Sequence, residues 1–422
     1  MSPTDEPEEV AAGTSEEPPE QEQPPPLPRL ELRDPLPDVV ETDAALAEVI
    51  ERVKDGSGPV ALDAERASGY RYSQRAYLIQ LRRTGSGSAL IDPIAFEDLV
   101  PLNEAIGDAE WILHAATQDL PCLAEIGMHP KALFDTELAG RLLNLPRVGL
   151  ASLVEYVLER SLAKEYSAAD WSTRPLPTPW LVYAALDVEV LVELRDEMER
   201  QLIEANKLEW ARQEFDALLS FTGPPARHEP WRRTSGIHKV RGRRPLAVVR
   251  ALWEARDTIA ADRDITPGRI INDSSILEIA QAQPKDMSTL KGLRPMRNRG
   301  PRRFISQWHD AVESALGLEE QDLPTSSQRF DGPPPPRAWA DKNPDAAARL
   351  SAAREAVGAI AQTQNLPVEN LLNPQMLRRL AWEPPSDISA EAISAALRDS
   401  GARQWQLDLT AAALIGPLGA KA

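Results

Sequence analysis

Two carboxylates, Asp63 and Glu65, stand two residues apart directly after the apolar run Val60-Ala61-Leu62. On a strand that spacing puts both side chains on one face, and a pair of acids at the end of a core strand costs stability unless a cation neutralises it. Hard oxygen donors of this kind suit Mg²⁺ or Mn²⁺. Asp119 follows the short apolar stretch Trp111 to His114 at the start of a helical pattern, where by itself it would read as an acid complementing the helix dipole. Tyr183 and Asp187 are four apart in a helical pattern, so they share a face about one turn apart. Alone, they would read as a surface pair, and a lone Asp-x-Glu occurs by chance in most chains of this size. The combination of four acids and a phenol, in this order on this scaffold, is much more specific than any one part.

Other residues near these motifs have competing readings. His114 ends a strand and is either a substrate contact or structural. Trp171 is either a base-stacking platform or a core side chain. Arg174 and Lys164 are either phosphate contacts or plain surface charge. Asp135, in Phe134-Asp135-Thr136, reads as the cap of the helix that begins at 136 rather than as a metal ligand.

The elements that must position this set follow from periodicity. Residues 59–65, 76–82, 88–92, 111–114 and 132–135 read as strands, and 118–127, 136–144, 150–160 and a long stretch from about 178 to 219 as helices. Strands in a meander that later alternate with helices indicate a mixed α/β sheet. The expected layout is a disordered acidic, Pro-rich tail over 1–38, a catalytic unit over 39–220, a basic linker over 221–242, a helical unit over 243–322, a Pro-rich linker over 323–338 and a second helical unit over 339–418. The two helical units repeat at an offset of 101. Ala255, Ile259, Ala260, Asn272, Ala280, Pro284, Asp286 and Ser288 meet identical residues at Ala356, Ile360, Ala361, Asn373, Ala381, Pro385, Asp387 and Ser389. A shared amphipathic pattern with matched breaks indicates one small helical fold used twice.

These motifs resemble the RNase D-like exonucleases, the four-acid group with a tyrosine in the last motif. Asp63-Ala64-Glu65, His114-Ala115-Ala116-Thr117-Gln118-Asp119 and Tyr183-Ala184-Ala185-Leu186-Asp187 match the three exonuclease motifs. Phe134-Asp135-Thr136 and Asp170-Trp171-Ser172-Thr173-Arg174-Pro175-Leu176 resemble RNase D in particular. The repeated helical units are similar to the helicase-and-RNase-D C-terminal (HRDC) domain, and the resemblance spans about 40–418. It implies a ribonuclease H-like α/β exonuclease domain followed by two all-α HRDC-like domains. The implied activity is removal of nucleotides from RNA 3′ ends, precursor transfer RNA included, by two divalent cations, Mg²⁺ or Mn²⁺, held ~3.5–4 Å apart on the scissile phosphate. On that reading Asp63, Glu65 and Asp187 hold the metal nearer the nucleophile, with Asp63 bridging. Asp119 holds the second, and Tyr183 orients the attacking water. A DNA 3′-exonuclease remains an alternative, since only 2′-hydroxyl contacts separate the two substrates. A non-catalytic nucleic-acid adaptor is another.

The charge distribution bears on the partner. The chain has 422 residues and a net charge of −18, which as a total argues against a nucleic-acid partner. Residues 1–38, however, hold eleven acids and two bases, and residues 225–310 hold eighteen bases and nine acids. The second stretch is therefore an RNA-binding candidate, with Arg241, Arg243, Arg244, Arg297, Arg299, Arg302 and Arg303 as its densest clusters. The second helical unit is nearly neutral. One cysteine, Cys122, excludes a disulfide framework and a Cys-based zinc site. With no long apolar run and an acidic, Pro-rich start unlike a signal peptide, a cytoplasmic protein without a membrane partner is expected. No protein partner is implied.

Overall fold

A computed structural model describes residues 26–163, 166–326 and 332–421. A six-stranded sheet comprises β1 (Val39–Val40), β2 (Ser57–Arg66), β3 (Ala76–Thr84), β4 (Gly87–Ile91), β5 (Trp111–Leu113) and β6 (Leu133–Asp135), in the order β1-β4-β3-β2-β5-β6. The meander β2–β3–β4 is antiparallel, while β1 joins β4, and β5 and β6 extend from β2, in parallel. Val60, Ala61 and Leu62 are all fully buried, as a central strand covered on both faces requires.

On one face, α1 (Asp43–Asp55), α2 (Val100–Ala105) and α3 (Leu120–Ala124) pack with Leu62, Ile79 and Leu81. The other face is covered by α4 (Thr136–Leu142), α5 (Leu150–Leu158), α6 (Thr178–Glu189), α7 (Leu191–Glu204) and α8 (Leu208–Leu218), with Ala61, Ile112 and Phe134 beneath several of them. The stretch 178–219, which reads as one helix, is thus three. Val190 leaves helical geometry at φ −109°, ψ −5°, and Asn206 turns left-handed at φ 56°. These breaks let α6 lie over β2, β3 and β4 while α7 crosses to β5.

The expected tail also differs. Its residues 1–25 lie outside the described residues, but 26–38 are packed onto the sheet domain. Leu30 is buried and donates its N–H to the Ser161 carbonyl at 2.9 Å, and Arg33 pairs with Glu193 at 2.6 Å. Scattered apolar residues, Leu30 among them, anchor a segment whose composition alone reads as unfolded.

The first helical unit runs α9 (Arg243–Arg263), α10 (Pro267–Ile270), α11 (Asp273–Ala282), α12 (Met287–Gly292), α13 (Arg299–Arg302) and α14 (Ile305–Leu316) around its own core of Leu252, Ile276, Trp308 and Val312. Trp231 and Val240, from the stretch expected to be a linker, are buried in that core. The second unit runs α15 (Trp339–Lys342), α16 (Pro344–Thr363), α17 (Val368–Leu371), α18 (Pro374–Trp382), α19 (Ala390–Asp399), α20 (Gln404–Thr410) and α21 (Ile415–Leu418). The offset of 101 carries α9, α10 and α11 onto α16, α17 and α18 within one residue at each end, and Asn272 and Asn373 cap equivalent helices.

The units dock differently. The second shares a core with the sheet domain. Trp405 stacks on Trp210 with ring centroids 5.0 Å apart, and the buried Lys207 ammonium donates to the carbonyls of Leu142 (2.7 Å) and Asn365 (2.9 Å). The first meets the loop after β2: Asp264 accepts from the Ser73 N–H at 2.8 Å, Thr266 N–H donates to the Tyr70 carbonyl, and Arg269 lies over the Tyr70 ring at 4.1 Å. Among the described residues no helix is long and apolar enough to cross a membrane.

Candidate active site

The carboxyl end of β2 carries Asp63 and Glu65. Leu62 and Ala64 point into the α1–α3 side, so alternation turns both acids toward α6. α6 presents Asp187 to them, and the ligand oxygens of Asp63, Glu65 and Asp187 lie within 4.8 Å of one another. One turn earlier on α6, the Tyr183 hydroxyl lies beside the Asp187 carboxylate and favours its charged form. Asp119 stands outside that triad, at the amino end of α3, where it lines the same cleft and is buried.

The turn before Asp119 is held by Asp135. Its carboxylate accepts from the N–H groups of Ala115 (3.2 Å) and Ala116 (2.8 Å) and from Glu137 and Leu138 at the start of α4. Asp135 therefore caps α4 and also pins Ala115 in a left-handed conformation, φ 58°, that a residue with a Cβ adopts at a cost. That turn redirects the chain from β5 so that Asp119 reaches the cleft.

Burial and mutual repulsion dominate the electrostatics. Desolvation first, then the neighbouring carboxylates, push Glu65 up to about 10, and desolvation pushes Asp63 up to about 6. Asp119 and Asp187 are raised for the same first reason. The cation that opposes this is Arg66, whose Nη2 lies 4.0 Å from Asp119 and donates to Gln118 at 3.4 Å. One guanidinium does not balance four acids, three of them buried and Asp63 half-buried. An all-oxygen donor set that is under-neutralised in this way fits a hard divalent cation.

The remaining candidates divide. His114 lines the cleft, with Nδ1 2.9 Å from Thr136 Oγ1, and burial lowers its pKa to about 4, so it is a neutral hydrogen-bonding group. Trp171 is fully buried, packed against Trp180 and Tyr183 with centroids at 5.4 and 6.5 Å. It supports the helix that carries Tyr183 and has no face for a base, which corrects the stacking expectation. Arg174 is corrected too. Its guanidinium grips the buried Asp92 through two bonds of 2.6 and 2.8 Å and donates to the carbonyls of Trp171, Thr173 and Tyr77, leaving nothing for a phosphate. Lys164 lies outside the described residues.

Of the basic cluster, Arg243 and Arg244 donate to the carbonyls of Leu323 and Pro324, and of Leu316 and Leu318, where they close the first helical unit. Both are structural, contrary to expectation. Arg241, Arg297, Arg299, Arg302 and Arg303 are exposed. α13, which holds two of them, packs on α10, and α10 adjoins the Gly69–Tyr70 rim of the cleft.

Three residues that line the cleft, Arg66, Gln118 and Ser152, were not singled out from sequence, and neither was Tyr166, which stands against Tyr183. Tyr166 is partly exposed, with its ring 6.2 Å from that of Tyr183. Ser152 is buried in the cleft wall and has no side-chain hydrogen bond among the described residues. Arg66 directly follows the first motif, a signal that adjacency alone could have supplied. Gln118 directly precedes Asp119 in the second motif and was open to the same signal, whereas Tyr166 and Ser152 depend on long-range packing.

Comparison with known proteins then places the chain. Residues 37–203 match a family model described as 3′-5′ exonuclease, 246–312 one described as HRDC domain, and 332–418 one described as 3′ to 5′ exonuclease C-terminal domain. The chain is 30% identical to the Ribonuclease D of Granulibacter bethesdensis over 72% of its own length and 75% of that protein. A protein of solved structure from Bifidobacterium adolescentis aligns at TM-score 0.86 and 39% identity, covering 93% of this chain and 99% of that one. The structure of Escherichia coli RNase D, described as an exoribonuclease involved in structured RNA processing, aligns at 0.64 and 25% identity over 86% and 98%.

Proposed function

The chain belongs to the ribonuclease D family and is a metal-dependent 3′-5′ exoribonuclease, and from that premise we propose how its residues divide the work and which RNA it trims. The observation that carries the assignment is the convergence of the ligand oxygens of Asp63, Glu65 and Asp187 within 4.8 Å, with Tyr183 one turn from Asp187 on the same helix.

Asp63, Glu65 and Asp187 would hold one divalent ion and Asp63 with Asp119 a second, Mg²⁺ or Mn²⁺. When bound, such ions supply a nucleophile at neutral pH and stabilise charge on the scissile phosphate. The chain's own groups do the rest. Burial and the adjacent carboxylates hold the Tyr183 phenol well above its usual range, so it stays protonated and orients the attacking water rather than deprotonating it. Oxygen of that water bonds to phosphorus as the P–O3′ bond breaks; the water's proton passes to solvent in the open cleft, the departing 3′-oxygen takes a proton from solvent, and a nucleoside 5′-monophosphate leaves. Neutral His114 offers Nε2 to a sugar or phosphate oxygen. Tyr166 takes the base-stacking role that buried Trp171 cannot.

The RNA body lies over the first helical unit, where Arg297, Arg299, Arg302 and Arg303 line an approach that ends at the Gly69–Tyr70 rim. The second unit is a further copy of the HRDC fold, and its role is to brace the sheet domain. A basic surface beside a cleft for a single-stranded end suits a folded RNA with a short 3′ extension, such as precursor transfer RNA. Precursor with a 3′ trailer, incubated with Mg²⁺ or Mn²⁺, is expected to lose trailer nucleotides one at a time and to resist trimming at the acceptor stem. Equal kcat/KM on an unstructured oligonucleotide of the trailer sequence would sink this substrate assignment.

A further inference from the structure

Gln80 occupies the middle of β3 and is fully buried, and neither its amide nitrogen nor its amide oxygen has a hydrogen-bond partner among the described residues. An unpartnered carboxamide in a protein interior costs about 1–3 kcal/mol or more. A Leu or Met of similar volume would fill the space without that cost. Its position points to what the amide could serve, because Gln80 is the register partner of Asp63 across the β2–β3 pair. Ile79 and Leu81 point into the core on the α1–α3 side, so Gln80 points with Asp63 to the α6 side. Directly opposed residues of an antiparallel pair have Cβ atoms about 4.5–5.5 Å apart, within reach of a glutamine amide. The next residue along that row, Arg82, is already spent on Asp34, Ser88 and Glu189.

We infer that Gln80 is a positioning residue for metal binding. Its N–H donates to a carboxylate lone pair of Asp63 that is not used for a cation, and so fixes the rotamer of the residue assigned to both ions. The inference rests on the metal-site reading above. Ligating carboxylates are commonly oriented by such a hydrogen bond, and losing one typically costs 10–100-fold in metal affinity. In the metal-free protein the amide has no comparable partner, and its burial is then a cost that metal binding relieves.

The test is Mn²⁺ affinity by titration calorimetry, alongside metal-free Tm, for wild type, Gln80→Met and Asp63→Asn. Gln80→Met is expected to keep or raise the metal-free Tm while weakening Mn²⁺ binding about 10–100-fold. A filler role for Gln80 gives the reverse, a lower Tm with unchanged affinity, and overturns the inference while Asp63→Asn still loses binding. Should Asp63→Asn bind Mn²⁺ as wild type does, the metal-site reading falls and this inference falls with it. If Gln80→Met does not fold, ¹⁵N-glutamine-labelled wild type decides the matter. A side-chain NH₂ resonance assigned to Gln80 must shift on Mn²⁺-free Mg²⁺ titration, and a Gln80 signal indifferent to Mg²⁺ overturns the inference.

Discussion

Asp63 and Glu65 show what happens when acids are placed where a core strand ends. Their carboxyls are raised to about 6 and about 10, chiefly by burial. An acid whose folded pKa lies above its unfolded value favours folding when protonated. In metal-free protein that contribution is full below about pH 4, falls as pH rises through 6 and keeps falling toward 10. A divalent cation replaces the protons, so the Tm increase produced by Mg²⁺ is expected to grow steadily from pH 5 to pH 9. A Mg²⁺ shift that is flat with pH contradicts this electrostatic account. Four of the catalytic candidates were legible in the sequence because their spacing encodes shared faces, two apart on a strand and four apart on a helix; Asp119 was legible only through the motif it shares with His114. Gln80 was not, since its significance lies in a strand register that pairs it with a residue seventeen positions away.

At the scale of elements, the strands were readable from apolar runs and the helix starts from residues such as Asp135. The long reading over 178–219 failed because no glycine or proline marks the breaks at Val190 and Asn206; packing across the sheet imposes them. Arg174 misled for a related reason, as its partner Asp92 lies in the connection after β4. That pair joins the segment carrying Trp171 to the sheet, beneath the helix that carries Tyr183 and Asp187. Arg174→Ala strands a buried carboxylate and is expected to lower stability by about 3–5 kcal/mol. KM for RNA, measured on the folded fraction, should stay within twofold. A large KM increase without a stability loss would restore Arg174 as an RNA contact.

For the whole molecule, the net charge of −18 conceals segregation. Its most acidic stretch begins in residues outside the described chain, and part of the rest is a cluster of acids facing a cleft. The bases collect on the unit beside that cleft's rim, although several of them, Arg243, Arg244 and Arg256 included, are spent on the fold itself. Replacing Arg297, Arg299, Arg302 and Arg303 with Glu is therefore expected to raise KM on structured RNA by at least about tenfold and to reduce the salt dependence of binding. Equivalent reversals at exposed bases of the second helical unit should change KM little. Equal effects from both units would refute the division of labour. Such a division is foreshadowed by sequence, because the repeat keeps its apolar pattern and loses its charge. The docking that makes it physical, Trp405 on Trp210 and Lys207 on two helix ends, arises from contacts distant in the chain.

The central claim is that the carboxylates gathered at the end of β2 and on α6 perform the hydrolysis, with Tyr183 aligning the water. Single-turnover digestion of a 5′-labelled RNA with a free 3′-hydroxyl, by wild type, Asp63→Asn and Tyr183→Phe, with divalent cation and with EDTA, measures it directly. Wild type should give a ladder shortened one nucleotide at a time and abolished by EDTA. Asp63→Asn should be at least about 1,000-fold slower with its Tm preserved, and Tyr183→Phe about 100-fold slower with unchanged KM. Wild-type rates in Asp63→Asn, or degradation that persists in EDTA, would contradict it.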